Sequence, residues 1–211
     1  MKSQQSGFTL VEIAIVLVII GLLLGGILKG QELINSAKAK SLANDFRAIP
    51  VYIYGYQDKF RALPGDDLNA ASHVALTPAA GNGNGDGRID GLWDSTTATD
   101  ESVLFWQHVR GAGLATGDTT AGGSLPTNAD GGRLGVTSSK PTSDTTFNGT
   151  YYLCSKGIRG KFAKMIDTQL DDGHTDKGSV RAFTSAVAAN ASVPETTAGF
   201  DDASYDVCMA F

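Results

Sequence analysis

Residues 8–28 read FTLVEIAIVLVIIGLLLGGIL, an apolar run interrupted by one charge, Glu12. At about 1.5 Å of rise per residue, a helix of this length spans roughly 30 Å, the hydrocarbon thickness of a bilayer. Lys2 and Lys29 mark its two ends, and the stretch before it, Met1–Gly7, is short and polar. Lys2 favours a cytoplasmic N-terminus, although one cation on each flank gives the charge rule little leverage. Three readings compete. A cleaved secretory signal has a shorter apolar region followed by a small-residue site, and no A-x-A-like site follows here. A plain single-span anchor accounts for the length but not for Glu12. A carboxylate inside a membrane helix costs several kcal/mol, so it is read as a functional group in need of a named partner.

The sequence Gly7-Phe8-Thr9-Leu10-Val11-Glu12, between the polar leader and the apolar run, resembles the cleavage and methylation motif of type IV prepilins and type II secretion pseudopilins. The resemblance extends over residues 1–35. It implies cleavage after Gly7 by a prepilin peptidase that also methylates the new Phe8 amine. It implies that Glu12 stays in the span and meets the Phe8 amine of a neighbouring subunit. Physical chemistry agrees with that pairing: a buried anion and a buried cation are each unfavourable alone and neutralise one another together. The implied partners are other pilin subunits in a homo- or hetero-polymer, the peptidase and an inner-membrane assembly platform. The implied location is the bacterial inner membrane, then a filament that crosses the periplasm to the outside.

Working outward, the helical pattern continues through Gln31 to about Arg61, with Leu33, Ala37, Leu42, Phe46 and Ile49 forming an apolar stripe. Pro50 is expected to bend or break the helix. Gly21, Gly25, Gly26 and Gly30 fall inside it; either the Gly25-Gly26 pair loosens it locally within a filament or the small residues allow close helix packing. Leu63-Pro64-Gly65 reads as a stop and turn. The chain therefore divides into a leader (1–7), a membrane and filament-core helix (8–28), its continuation (29–62) and a globular domain (63–211). Short helices are expected at Glu101–Ala112, with Val103, Leu104, Trp106 and Val109 inward, and at Gly160–Leu170. Strands are expected at Arg133–Val136, Phe147–Cys154, Ser179–Phe183 and Tyr205–Phe211. The fold class is α+β: a long N-terminal helix on a small antiparallel sheet, as in a type IV pilin-like roll, with a large loop between helix and sheet.

Within that loop, Asn82-Gly83-Asn84-Gly85-Asp86-Gly87-Arg88-Ile89-Asp90 resembles the first nine places of an EF-hand calcium loop. Asn82, Asn84, Asp86 and Asp90 offer side-chain oxygens and Arg88 its carbonyl, at a spacing that can wrap a hard cation. The first place is Asn, however, and the twelfth is Trp93 rather than a bidentate Glu; Asp94, Asp100 or Glu101 are possible substitutes. A solvated turn using Gly and Asn for positive φ explains the same letters. Asp66-Asp67 and Asp171-Asp172 are further acidic pairs, read first as helix caps or solvated turns and second as metal ligands.

Cys154 and Cys208 are expected to pair in an exported protein and to be two inert thiols in a cytosolic one. In type IV pilins a C-terminal disulfide occupies a similar position, and pseudopilins commonly lack it, so the pair favours a pilin. The net charge of −5 argues against nucleic-acid binding by overall charge. The histidines, His73, His108 and His174, lack metal-ligand spacing, and no phosphate-cradling loop or nucleophile–base set is legible. The expectation is a structural pilus subunit, major or minor, rather than an enzyme. The alternatives are a secretion pseudopilin, a minor pilin that binds surfaces or DNA, and a membrane-tethered calcium binder that never polymerises.

Overall fold

A computed structural model describes residues 9–74, 81–120, 125–184 and 191–211. The leader and Phe8 lie outside the described residues. The chain forms two compact units, divided between Lys38 and Ala39. Helix α1, Leu10–Phe60, belongs to both. In the first unit its Leu, Ile and Val side chains are exposed on every side, from Leu10 through Leu28. A helix that is apolar all round is one built for burial in a membrane or in a bundle. Among the described residues α1 is the one helix long and apolar enough to cross a bilayer.

In the second unit the same helix becomes one-sided. Ala39, Leu42, Ala43, Phe46, Ile49, Ile53 and Tyr56 are completely buried, at spacings of three and four that form a single stripe. Pro50 lies inside this stretch without breaking the helix. Its ring removes one backbone hydrogen bond and costs about 3 kcal/mol in an ordinary helix. Phe46, Ile49 and Ile53 on either side are fixed in the core, and their burial offsets that loss. The helix ends as Arg61 takes a left-handed conformation (φ 56°), ahead of the expected Leu63-Pro64-Gly65 turn.

The core that receives this stripe is a four-stranded antiparallel sheet in the order β1-β2-β4-β3, with β1 Leu134–Thr137, β2 Tyr152–Arg159, β3 Val180–Phe183 and β4 Ser204–Ala210. Strand residues alternate between two faces. Leu153, Val180, Ala182 and Val207 join the core that contains α1 and helix α4, Gly160–Leu170. Tyr152, Cys154, Phe183, Cys208 and Ala210 join a second cluster with Trp93 and Phe147. Both faces are thus covered, which is why β1 and β3 are buried along their whole length. Gly135 of β1 is required by its neighbour: a Cβ there would sit 1.7 Å from the Trp93 carbonyl oxygen. Two further helices lie in the long connection, α2 at Ala70–His73 and α3 at Glu101–Gly111.

Two expectations need correction. The strand expected at Phe147–Cys154 begins at Tyr152 and runs to Arg159. The apolar signal at Phe147 is real but serves the second core cluster, and the N–H groups of Thr150 and Tyr151 both turn to the Phe211 carbonyl. Helix α3 is not amphipathic: every residue from Glu101 to Val109 is buried.

Cys154 and Cys208 face each other directly across β2 and β4 and form a disulfide. The bridge spans 54 residues of sequence, so on the chain-entropy model it contributes about 4 kcal/mol. Replacing both cysteines by serine is expected to lower unfolding free energy by about that amount in denaturant titration. An unchanged midpoint in non-reducing buffer defeats the assignment.

Candidate assembly site and the acidic loop

The N-terminal end of α1 is built around Glu12. Thr9 directly precedes the first helical residue, and Glu12 lies in the helix's third place. The Thr9 backbone N–H and hydroxyl both donate to Glu12 Oε2 at 2.8 Å, and the Glu12 N–H lies 3.3 Å from Thr9 Oγ1. This is the reciprocal capping box of a Thr-x-x-Glu sequence. It places the carboxylate at the positive end of the helix, where an anion is favoured. Gly7 and Phe8 lie outside the described residues. A Cβ added at Gly21, Gly25, Gly26 or Gly30 would meet nothing within 4 Å, so nothing in the lone subunit demands small residues there.

The acidic loop is organised by carboxylates that lie outside its sequence motif. Asp66, nearly fully buried, accepts the N–H groups of Gly85 (2.5 Å) and Asp86 (3.0 Å) on Oδ1 and of Gly87 (2.8 Å) on Oδ2. Glu101, at the start of α3, accepts Asn84 N–H on Oε1 (2.8 Å) and Asp90 N–H on Oε2 (2.9 Å). Gly83 lets the loop close on Asp66, since a Cβ there would come within 2.3 Å of the Asp66 backbone. Thr137 Oγ1 donates to the Gly91 carbonyl at 2.7 Å and pins the loop's far side to β1.

Of the five residues read as ligands, Asp86 alone joins a carboxylate cluster, with Asp66 and Glu101. Asn82 Oδ1 accepts the Ala71 N–H at 3.0 Å. Asn84 Oδ1 accepts Asp86 N–H, Asp86 Oδ1 accepts Arg88 N–H, and Asp90 lies 3.7 Å from the Arg88 guanidinium. Asp66, Asp86 and Glu101 could hold a cation, yet each oxygen of the two buried acids already has a backbone donor. Burial, with the nearby charges of Asp66 and Asp90, pushes the Glu101 carboxyl up.

Residues 2–28 match the family model described as the prokaryotic N-terminal methylation motif. The chain carries that motif. It is the signature of type IV pilins and pseudopilins, and it supports a processed, pilin-like or pseudopilin-like subunit. The motif implies processing by a prepilin peptidase and polymerisation with other pilins. Together with the apolar helix it points to membrane anchoring before assembly. No curated protein and no solved structure matches the chain.

Beside the motif-bearing helix, the domain holds a buried polar network that spacing alone did not reveal. Tyr56 O–H donates to Asp67 Oδ2 at 2.8 Å, and His73 Nδ1 lies 2.6 Å from the same oxygen. Burial favours the neutral acid, but the bonds from His73, the Asn69 N–H and Tyr56 outweigh it and hold Asp67 below the usual carboxylate range. His108 of α3 is fully buried. Its Nδ1 accepts Gly65 N–H at 2.9 Å, which leaves Nε2–H to donate to the Gly81 carbonyl. The ring thereby ties Gly65 to Gly81, and burial holds its pKa below the ordinary 6.5.

The sign of the pH effect follows. Below pH 6.5 the unfolded chain binds a proton that folded His108 resists, so its stabilisation is lost as pH falls. His108→Gln should cost about 2–3 kcal/mol by orphaning buried backbone groups. The gap between wild type and variant should shrink between about pH 7.5 and about pH 5.5 in denaturant titrations. A gap that is constant with pH counts against a neutral, bridging His108.

Proposed function

We propose that the chain is a structural subunit, major or minor, of a bacterial type IV pilus. In this reading a prepilin peptidase removes residues 1–7 and methylates the Phe8 amine. The subunit waits in the inner membrane and then polymerises through α1. The observation that carries the reading is the methylation motif at residues 2–28 at the head of a helix whose apolar side chains are exposed on every side. Such a helix needs lipid first and neighbouring helices afterwards.

Glu12 gives this assembly its register. The two donors on Thr9 orient its carboxylate, but they are neutral and leave its charge uncompensated. A cationic Phe8 amine from a neighbouring subunit supplies the compensation, and misaligned neighbours do not. The Cys154–Cys208 bridge supports a pilus over a secretion pseudopilus, whose subunits commonly lack one. In the pseudopilus alternative a short filament pushes substrates across the outer membrane. Long surface filaments in electron micrographs of sheared cells favour the pilus, and their absence favours the pseudopilus.

Mass spectrometry of the native protein is expected to find a chain that starts at a methylated Phe8. A chain that starts at Met1, or at an unmodified cut further downstream, overturns the proposal. Glu12→Val is expected to insert normally but to lower filament yield about tenfold or more, because stranding the partner charge costs about 3–5 kcal/mol. Wild-type yield from that variant refutes the pairing role.

A further inference from the structure

The turn that closes α4 gathers carboxylates differently from the acidic loop. Asp167, Asp171 and Asp172 each place an oxygen within 4.8 Å of the others. Asp167 and Asp171 lie one helical turn apart. Gly173, in a left-handed conformation (φ 85°), folds the chain back so that its N–H donates to Asp167 Oδ1 at 2.6 Å. Asp171 Oδ2 accepts the Ser179 and Val180 N–H groups (2.5 and 3.1 Å), and Asp172 Oδ1 accepts His174 N–H (2.9 Å). Glu195 stands nearby, its Oε1 3.0 Å from His174 Nδ1.

The independent observation is Asp167 itself. The residue is fully buried, and its Oδ2 has no hydrogen-bond partner. In the acidic loop, by contrast, every oxygen of the two buried acids accepts a backbone N–H. Burial first, and then the charges of Asp171, Asp172 and Glu195, push Asp167 up to about 6. Its neighbours Asp171 and Asp172 bring further carboxylate oxygens to within 4.8 Å. A cation satisfies the bare oxygen and the crowded charges together.

We propose that this turn binds a divalent cation of the calcium class, held by carboxylate oxygens of Asp167, Asp171 and Asp172. The donors are all hard oxygens, without sulfur or nitrogen, which selects against zinc and copper. Their mutual spacing allows an ion at about 2.3–2.6 Å from each, the calcium range. Asp171 already binds the start of β3, so the ion ties the end of α4 to that edge strand. The proposal goes beyond the filament reading and holds whether or not the chain polymerises.

The test titrates calcium chloride into the full-length chain, detergent-solubilised and stripped with EDTA, by calorimetry and thermal melting. A binding event is expected at or below about 1 mM, where extracellular calcium modules work, with an upward shift in Tm. Asp172 is exposed, and asparagine can still accept the His174 N–H, so Asp172→Asn should fold. It is expected to weaken that event about tenfold or more (~1.4 kcal/mol). Asp167→Asn, which can turn an amide N–H toward the ion, is expected to do the same. Asp86→Asn, on the exposed acidic loop, should leave the event in place. Absence of heat and of a Tm shift, a curve unchanged by both turn variants, or loss in Asp86→Asn alone overturns the proposal.

Discussion

One helix has to suit two surroundings, and the rest of the structure follows from that constraint. Over its first unit α1 presents leucine, isoleucine and valine on every side, which only lipid or other helices can accept. From Ala39 onward the same helix narrows its apolar surface to a stripe that the sheet and α4 enclose. The change of pattern lies within an unbroken helix. Because one face of the sheet serves α1, its other face needs a separate cover, and Trp93 and Phe147 provide it beside the cystine.

The two acidic regions illustrate how a carboxylate can be accommodated in a fold. Asp66 and Glu101 act as anchors for a glycine-rich segment whose N–H groups converge on them, so the anions organise backbone. Glu12 uses the same device on a smaller scale at the start of α1. Asp167 accepts one such N–H and is otherwise surrounded by its own kind. The difference lies in how many local donors each acid has, rather than in how many acids stand together.

Much of this was legible in the sequence, and the unread parts have a common cause. The long helix, the extent of α4 and the four antiparallel strands follow from local pattern: apolar periodicity, Gly and Pro punctuation, and β-rich runs. The start of β2 was misplaced because Phe147 is apolar for a core contact made outside a strand. Helix α3 looked amphipathic because Glu101, Gln107 and His108 are polar, yet all three are buried. The roles of Asp66 and His108 depend on residues some 20 to 40 positions away in sequence, which no spacing rule encodes. The Thr9–Glu12 box is different: its Thr-x-x-Glu signature was present in the letters, overshadowed by the stronger signal of a charge in a membrane span.

The cystine joins the two central strands, and the segment between its halves contains α4, β3 and the turns around residues 171–179 and 191–199. Those turns are among the most solvent-accessible parts of the domain. A protease that clips the chain there opens the loop without releasing either piece, since the sulfur bridge still holds β4 and the C-terminus to the remainder. A subunit nicked on its outer surface can therefore stay in one covalent unit for as long as its surroundings remain oxidising.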